Sequence, residues 1–473
     1  MRPLADAVSG FIFFTVPVAG ADLPLIVVWL ICAGVFFTFY LRLVNIRGFK
    51  HAVDLVRGKH KVPGDPGEIS QFQALTTAVS GTVGIGNIAG VAVAISLGGP
   101  GATLWLIVAG FLGMSTKLAE CTLAVMYRRE RDGQVSGGPM HYLERGLAAR
   151  NWLGMGRRVG RALGLFYAAA MVIGCLGIGN MFQSNQATAI LIDVTGGANS
   201  VFADRAWLVG LLLAAGVGLV IIGGIRTIAN TTAKLVPAMA ILYVLSALTI
   251  IALNAEALPG AIAAIWNGAF SPQGVAGGAL GVMILGFRRA VFSNEAGLGS
   301  AAIAHAAART KEPVSEGFVA LLEPFIDTVV ICTLTALVII TTVYDPALAG
   351  SGVSGIELTT RAFASTLSWS PIPLSIAAIL FAYSTMLAWS YYGLKAFTYL
   401  VGERRGADLG FKLFFLTFVV LGSSIQLGAL VDLSDALVFV VAIPNLLGLY
   451  LMAPLIRREL IGYERRMQRA TRP

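Results

Sequence analysis

Charged residues are scarce in this chain. Only 12% of its 473 residues are Asp, Glu, Lys or Arg, roughly half the usual share in soluble domains. Cysteines and histidines number four each. The cysteines lie in apolar segments without a CxxC pair, and the histidines are widely spaced: Cys32, Cys121, Cys175 and Cys332; His51, His60, His141 and His305. These absences argue against a disulfide framework, a resident metal or cofactor, and the clustered groups of an enzyme.

Apolar residues are abundant instead. They make up 56% of the chain, and its mean hydropathy is +0.79. A helix that crosses about 30 Å of hydrocarbon needs roughly 20 residues. About eleven stretches are long enough: 23–45, 71–97, 101–127, 162–192, 206–225, 235–254, 274–298, 318–343, 371–401, 411–429 and 433–456. The sequence therefore predicts an all-α polytopic membrane protein with about 11 transmembrane helices.

Basic residues alternate between the segments that join these stretches. Most of the 34 lysines and arginines follow every second stretch, as in residues 42–61, 128–161 and 457–472. The opposite segments contain only Arg2, Arg205 and Arg361. The positive-inside rule then predicts an outer N-terminus and a cytoplasmic C-terminus in a bacterial-type inner (plasma) membrane. Orientation in the membrane, and not binding to nucleic acid, accounts for the net charge of +9.

Residues 71–99 differ from the other apolar stretches. They are rich in Gly, Ser, Thr and Asn, and the segment Gly84-Ile85-Gly86-Asn87 lies in their middle. An unpaired backbone group is costly in hydrocarbon, so a membrane helix unwinds only where protein, water or a ligand binds those groups. The pattern predicts a broken helix that forms a transport site. Close helix packing through Gly86 and Gly90 is the alternative.

The ten stretches after the first divide into two groups of five. Because five is odd, the second group enters the membrane in the opposite sense, as an inverted repeat requires. The second group also begins with an interrupted stretch, which contains Gly281, Gly286, Gly297 and Gly299. We predict four regions: 1–70, with a lead-in, the extra helix and a cytoplasmic loop; 71–256 and 257–457, the two five-helix repeats; and 458–473, a basic cytoplasmic tail.

Three stretches resemble a known family. They are QFQALTTAVSGTVGIGNIAGVAVAISLGGPGA at 71–102, GFRRAVFSNEAGLGSAAIAHAA at 286–307 and AYSTMLAWSYYGLKA at 382–396. They look like the alanine or glycine:cation symporters, also called sodium:alanine symporters, and the resemblance extends from about residue 20 to the last stretch. It implies a leucine-transporter-type fold with one extra N-terminal helix, and uptake of a small neutral amino acid coupled to Na⁺.

The resemblance also implies the residues that bind substrate. Backbone N–H groups of Ile85 and Gly86 would bind the substrate carboxylate, and the Gln183 amide would bind its amine or its carboxylate. Four apolar side chains would form the pocket walls: Phe287, Val291, Met386 and Trp389. A closed wall favours alanine or glycine, with D-alanine and serine as further candidates, because a pocket that is not sterically closed rejects an added methylene by only about 1–3 kcal/mol.

A shorter resemblance, to the first helix of bacterial and neurotransmitter sodium symporters, implies the cation ligands. The side-chain oxygen of Asn87 and the carbonyl of Thr82 would bind one Na⁺. Four further oxygens would bind a second: the carbonyls of Ser80 and Val83 and the hydroxyls of Ser384 and Thr385. Oxygen ligands suit a hard cation. The sequence leaves open whether one or two Na⁺ ions bind.

Two pairs of charged residues lie inside the predicted spans. Lys117 and Glu120 are three residues apart, so we expect them to share a helix face and form a structural ion pair. Glu323 and Asp327 are four residues apart and would also share a face. If either is buried without a partner, it could carry protons, and H⁺ would then be the coupling ion.

The sequence therefore predicts a secondary active transporter. It would move Na⁺ and a small neutral amino acid into the cell by alternating access, with the lipid bilayer as its surroundings and no obligate protein partner. The alternatives are proton-coupled symport, a channel, which would not show two matching breaks, and a membrane enzyme.

Overall fold

A computed structural model describes residues 9–18, 21–60, 62–131, 133–150, 154–271, 278–345, 355–425 and 427–470, with side chains from 436 to 469 in the last range. Helices form nearly all of the regular structure in these residues. Four short strands form two antiparallel hairpins, Thr15–Val18 with Ala21–Pro24 and Arg129–Arg131 with Gln134–Ser136. The all-α class is confirmed.

The helices follow one another with short connections. Before residue 256 they are Leu25–Tyr40, Val44–Arg47, Phe49–Val56, Gln71–Thr82, Ala89–Gly98, Ala102–Met126, Pro139–Arg150, Gly156–Leu176, Phe182–Val194, Ala206–Ile221 and Gly224–Leu253. After it they are Leu258–Phe270, Gly278–Asn294, Ser300–His305, Pro313–Pro324, Thr333–Thr342, Gly355–Thr366, Pro371–Val401, Arg405–Ser424 and Leu427–Ala470. Tighter 3₁₀ turns occur at Ile85–Asn87, Gly197–Asn199 and Ala255–Ala257, and wider π-helical segments at Gly177–Met181 and Phe325–Cys332.

Seven of the described helical segments are long and apolar enough to cross a membrane, and a bent pair of helices makes an eighth. Each of the eleven predicted stretches overlaps a helix. Two of these helices, Leu25–Tyr40 and Ala206–Ile221, are apolar but have only 16 residues each. The multi-pass membrane architecture is confirmed, whereas the count of eleven, the region boundaries and the orientation stay predictions.

The first broken helix consists of Gln71–Thr82 and Ala89–Gly98. The bend between Gln71–Thr82 and the segment Ile85–Gly98, which includes the 3₁₀ turn, is 61°. It begins with a capping box: the Ser70 hydroxyl accepts a hydrogen bond from the Gln73 N–H at 3.2 Å, and the Gln73 side-chain oxygen accepts from the Ser70 N–H at 2.9 Å. The helix ends at Thr82 because Val83 and Gly84 are extended. The predicted interruption is therefore present, immediately before Ile85.

The second broken helix consists of Gly278–Asn294 and Ser300–His305. Its break contains three residues in the left-handed region, Glu295 with φ 56°, Gly297 with φ 94° and Gly299 with φ 75°. Glycine adopts this conformation freely and other residues rarely do. By contrast, the helix continues through Gly281 and Gly286, so of the four glycines in this stretch only Gly297 and Gly299 lie in the break. A Cβ at Gly286 would lie 2.8 Å from the Ala102 carbonyl, so this glycine serves close packing.

A π-helical segment brings another helix close to the first break. Gly179 lies in Gly177–Met181, and a Cβ there would lie 2.1 Å from Cγ of Trp389. Only glycine leaves room for this indole. Trp389 thereby packs directly on the backbone of the π-helical segment. Such segments are rare and occur often at functional sites.

Candidate functional site

Asn87 closes the break in the first broken helix. Its side-chain Oδ1 accepts a hydrogen bond from the Gly84 N–H at 2.9 Å. This bond replaces the helical hydrogen bond that the Gly84 N–H loses at the break. Asn87 and Ile85 are fully buried. The first N–H groups of a helical turn lack intrahelical partners, so Ile85 and Gly86 are placed to offer theirs to a bound anion.

The amide nitrogen of Asn87 binds a buried carboxylate. Its Nδ2 donates to Oδ1 of Asp327 at 2.6 Å and to Oγ of Ser293 at 3.0 Å. The other oxygen of Asp327 accepts from Ser293 Oγ at 2.6 Å and from Thr328 Oγ1 at 2.8 Å. Asp327 is fully buried. Sequence reasoning identified Asp327 as an intramembrane charge but did not place it at the break.

Gln183 and Thr385 approach the break from two other helices. A Cβ built at Gly84 would lie 2.9 Å from Thr385 Oγ1 and 3.5 Å from Gln183 Oε1. The Gln183 Nε2 donates to the Ile178 carbonyl at 3.1 Å. Its Oε1 is buried and has no hydrogen-bond partner among the described residues. This acceptor lies in the membrane interior beside an unwound helix, so it is positioned to accept a hydrogen bond from a bound ligand.

The predicted ligands of a second cation are brought together in part. Thr385 Oγ1 donates to the Ser80 carbonyl at 3.0 Å, so these two groups lie side by side. The Ser384 hydroxyl donates to the Phe381 carbonyl at 3.0 Å and lies 3.5 Å from the sulfur of Met239. Val83 is buried and begins the extended segment.

The remaining predicted ligand of the first cation also lies at the break. Thr82 is the last residue of Gln71–Thr82, and its hydroxyl donates to the Val79 carbonyl at 3.3 Å. This bond turns the hydroxyl back onto its own helix. Only the carbonyl of Thr82 therefore remains a candidate ligand, as the sequence resemblance implied.

Trp389 and Met386 lie on the same helix as Thr385. The indole Nε1 of Trp389 donates to the Gly81 carbonyl at 3.2 Å, one turn before the break. Met386 is fully buried next to Thr385. The structure thus places Trp389 against the first broken helix, as expected for a pocket wall.

The two other predicted wall residues lie elsewhere. Phe287 and Val291 line a small cavity together with Leu30 of the N-terminal helix. Phe292 faces the break instead, since a Cβ at Gly86 would lie 3.4 Å from two atoms of its ring. Phe287 and Val291 are four residues apart and share a face, whereas Phe292 is turned about 100° away from Val291.

The break in the second broken helix is held by Glu120. Its Oε1 accepts from the N–H groups of Gly297 at 2.9 Å and Gly299 at 3.1 Å, and from Nδ2 of Asn445 at 2.7 Å. Asn445 also donates to the Gly297 carbonyl at 2.8 Å. A fully buried carboxylate therefore replaces the helical partners that this loop lacks.

Lys117 does not form its direct ion pair with Glu120, whose charge acts on it from farther away. Lys117 Nζ instead lies 3.0 Å from Oε1 of Glu323, with both side chains fully buried. Glu323 and Asp327, expected to share a helix face, have different partners, and the π-helical segment Phe325–Cys332 begins between them. Glu323 binds Lys117, and Asp327 binds Asn87.

Two discontinuous helices, unwound in the protein interior next to buried polar side chains, define a membrane transporter of the leucine-transporter type. The chain belongs to the sodium:alanine symporter family, whose profile it matches over residues 13–473.

Relatives and a solved structure agree with this assignment. The sodium/alanine symporter AgcS of Methanococcus maripaludis is 39% identical over 441 residues, covering 92% of this chain and 93% of AgcS. The "Probable sodium/glutamine symporter GlnT" of Bacillus subtilis is 33% identical over 451 residues, covering 95% and 90%. The crystal structure of MhsT in complex with L-phenylalanine has a TM-score of 0.57 at 16% identity and covers 84% of this chain and 99% of MhsT, which shows a common fold.

Proposed function

We propose that this protein is a secondary active symporter that couples entry of a small neutral amino acid to Na⁺ by alternating access. The substrate is alanine or glycine, with D-alanine as a further candidate. The observation that carries the proposal is the unpartnered Oε1 of Gln183, aimed at the unwound backbone around Gly84. The similarity to AgcS, a sodium/alanine symporter, supports it.

The hydrogen bonds of Gln183 assign its role towards the substrate. One N–H of Nε2 donates to the Ile178 carbonyl, whereas the buried acceptor Oε1 has no partner among the described residues, and an ammonium group is the matching donor for it. The carboxylate of the same amino acid then binds the N–H groups of Ile85 and Gly86, where the positive end of a helical turn favours an anion. A single amino acid zwitterion can therefore bind Gln183 through its ammonium group and the backbone of Ile85 and Gly86 through its carboxylate.

Steric limits around the break favour a small side chain. The ring of Phe292 lies in van der Waals contact with the space above Gly86, and Thr385 occupies the space above Gly84. Trp389 is 2% exposed and packed on Gly179, so its side chain has no space into which it could move. A substrate with a side chain much larger than a methyl group would have to displace these residues.

The charge at the break favours a metal cation as the coupling ion. Among the described residues, Asp327 accepts hydrogen bonds from three neutral side chains and forms no ion pair with a base. A carboxylate in the membrane interior needs a compensating charge. We assign Na⁺ to the space near Asn87, with the Thr82 carbonyl and the Asp327 carboxylate, and a second Na⁺ to Ser80 and Thr385. Proton binding at Asp327 is the alternative coupling.

Uptake of labelled alanine and glycine into proteoliposomes tests the proposal. Accumulation should require an inward Na⁺ gradient and should disappear when K⁺ replaces Na⁺. Accumulation driven by a proton gradient without Na⁺ would replace Na⁺ by H⁺ as the coupling ion. No accumulation under any gradient would contradict the substrate assignment.

Two variants link the transport assay to the site. Gln183→Met should abolish binding of the amino acid because it removes the acceptor while keeping the side-chain volume. Gln186→Met is the matched control, since Gln186 is buried on the same helix and its amide donates to Asn185. Asn87→Ala should remove the Na⁺ dependence of any residual uptake while the protein still inserts in the membrane.

A further inference from the structure

Four ionisable side chains form a row beside the second broken helix, and the proposed transport site uses none of them. Lys117 Nζ lies 3.0 Å from Glu323 Oε1, the other Glu323 oxygen lies 3.9 Å from His305 Nε2, and His305 Nδ1 lies 2.6 Å from Glu316 Oε1. All four side chains are fully buried. The row joins three helices: Ala102–Met126, Ser300–His305 and Pro313–Pro324.

The middle of this row has an unsatisfied contact. His305 Nε2 and Glu323 Oε2 face each other at 3.9 Å, and neither atom has a hydrogen-bond partner among the described residues. When Nδ1 donates its proton to Glu316, the neutral imidazole presents a lone pair at Nε2. That lone pair faces a carboxylate oxygen, so two acceptors oppose each other in a buried site. One proton added at Nε2 makes this contact a charge-assisted hydrogen bond.

The negative charges around this row favour binding of a proton. Facing the row are Glu120 and Cys121 on Ala102–Met126, Glu295 at the second break, Asp327 on the π-helical segment, and Tyr392 on Pro371–Val401. On the side of Phe49–Val56, His51 contacts Phe318 and bonds to Tyr463. The group therefore has several buried acids and one lysine, and uncompensated negative charge inside a membrane protein is costly.

We propose that His305, Glu316 and Glu323 bind one proton that exchanges with the cytoplasm. The new N–H bond forms at Nε2 of His305 as an O–H bond of a hydronium ion from the cytoplasm breaks, which leaves a neutral water molecule. Within the described residues, no three His, Cys, Asp or Glu side chains converge as metal ligands, which favours a proton over a metal ion. The exchange side is the one where Arg128 binds the carbonyls of Ala306 and Ala308, in the basic loops that we assign to the cytoplasm.

The bound proton ties the second broken helix to its neighbour. With the proton in place, His305 bonds through both ring nitrogens to Pro313–Pro324. Without it, the bond to Glu323 is lost and Ser300–His305 is held less firmly. Alternating access moves one repeat of such transporters against the other around the site, so proton release should favour opening towards the cytoplasm. This consequence rests on the proposed symport, whereas proton binding itself does not.

The first experiment measures uptake at fixed external pH while the internal pH of the proteoliposomes is varied. Initial uptake should fall as internal pH is lowered, by up to about tenfold per pH unit for a single proton. His305→Gln and Glu316→Gln should both flatten this profile. His141→Gln is the matched control and should keep the wild-type profile, because burial, with help from Arg145 and Arg129, lowers the pKa of His141 to about 3 and keeps that imidazole neutral.

A second experiment separates the proton site from transport. The unfolding temperature of the detergent-solubilised protein is measured against pH without Na⁺ or amino acid. A pH-dependent step present in the wild type and in His141→Gln, and absent from His305→Gln, supports the site even if symport is driven by another ion. An identical pH profile in all three proteins would overturn it. So would a step that follows Na⁺ or K⁺ concentration instead of pH.

A third measurement leaves His305, Glu316 and Glu323 unchanged, so it covers the case in which His305→Gln does not fold. Infrared pH-difference spectra are recorded with isotope-labelled histidine in a His51→Gln/His60→Gln background, which removes the two histidines near the Phe49–Val56 helix. A histidine band that titrates there reports His305, because His141 stays neutral. A spectrum without such a band across the neutral pH range would refute the proposal.

Discussion

Asn87 and Asp327 are 240 residues apart in the chain, yet the Asn87 amide donates to the Asp327 carboxylate at 2.6 Å. The same Asn87 side chain accepts from the Gly84 N–H at 2.9 Å. One residue therefore connects the break in the first half of the chain to a buried charge in the second half. In the proposed symport, a cation bound near Asp327 would consequently alter the backbone to which we assign the amino acid carboxylate, and this would couple the two binding events.

The first prediction tests that charge. Asp327→Asn should raise the Na⁺ concentration for half-maximal uptake by about tenfold or more, equivalent to at least about 1.4 kcal/mol, because the amide keeps the size of the side chain and removes its charge. Half-maximal Na⁺ concentrations from initial uptake rates measure the effect. Asp54→Asn is the control, since Asp54 binds Lys59 at the protein surface. An unchanged Na⁺ dependence would remove Asp327 from the cation site.

The second prediction tests the space above the break. Gly84→Ala should lower amino acid affinity by about tenfold or more, because its Cβ would lie 2.9 Å from Thr385 Oγ1 and overpacking costs about 1–3 kcal/mol. Gly90→Ala should leave affinity unchanged, since among the described residues no atom beyond its chain neighbours and its own helix backbone lies within 4 Å of a Cβ at Gly90. Equilibrium binding of labelled alanine compares the two. Equal affinities would show that Gly84 does not line the site.

The first break could be predicted from the sequence because its signal is local. Gly84 and Asn87 lie in an apolar stretch where polar and helix-breaking residues are otherwise costly, and the helix ends at Thr82 as the pattern predicts. The second break was harder to position, since glycines that pack helices closely, such as Gly286, look the same in sequence as glycines that end them. Only the backbone shows that Gly297 and Gly299 adopt positive φ.

The partners of buried side chains could not be predicted from spacing alone. Lys117 and Glu120 share a helix face, but Glu120 binds the loop at Gly297 because that loop offers unpaired N–H groups. Phe292, not its neighbour Val291, faces Gly86 because helix rotation depends on the packing of the whole bundle. These contacts join segments far apart in the chain, and a regular period carries no information about them.

The third prediction concerns the support of the second break. Glu120→Ala should destabilise the protein strongly, because two backbone N–H groups and the Asn445 amide would lose their common acceptor, at about 1–3 kcal/mol for each unsatisfied donor. Glu120→Gln should be tolerated better, since its amide oxygen can still accept. Thermal unfolding in detergent compares the variants. Equal losses for both would mean that the negative charge, and not the acceptor, holds the loop.

The fourth prediction separates the two partners of the buried ion pair. Lys117→Met should lower the free energy of unfolding by about 3–5 kcal/mol, because it leaves Glu323 buried without its lysine. Lys117→Met combined with Glu323→Leu should recover part of that loss, since the double variant no longer buries the Glu323 carboxylate without its lysine. Lys59→Met, at the exposed pair with Asp54, should have no measurable effect. Reversible unfolding of the four proteins and the wild type gives the comparison, with Glu323→Leu completing the cycle. If the double variant is as unstable as the sum of the single ones, the pair is not coupled, and Lys117 stabilises the protein through other contacts.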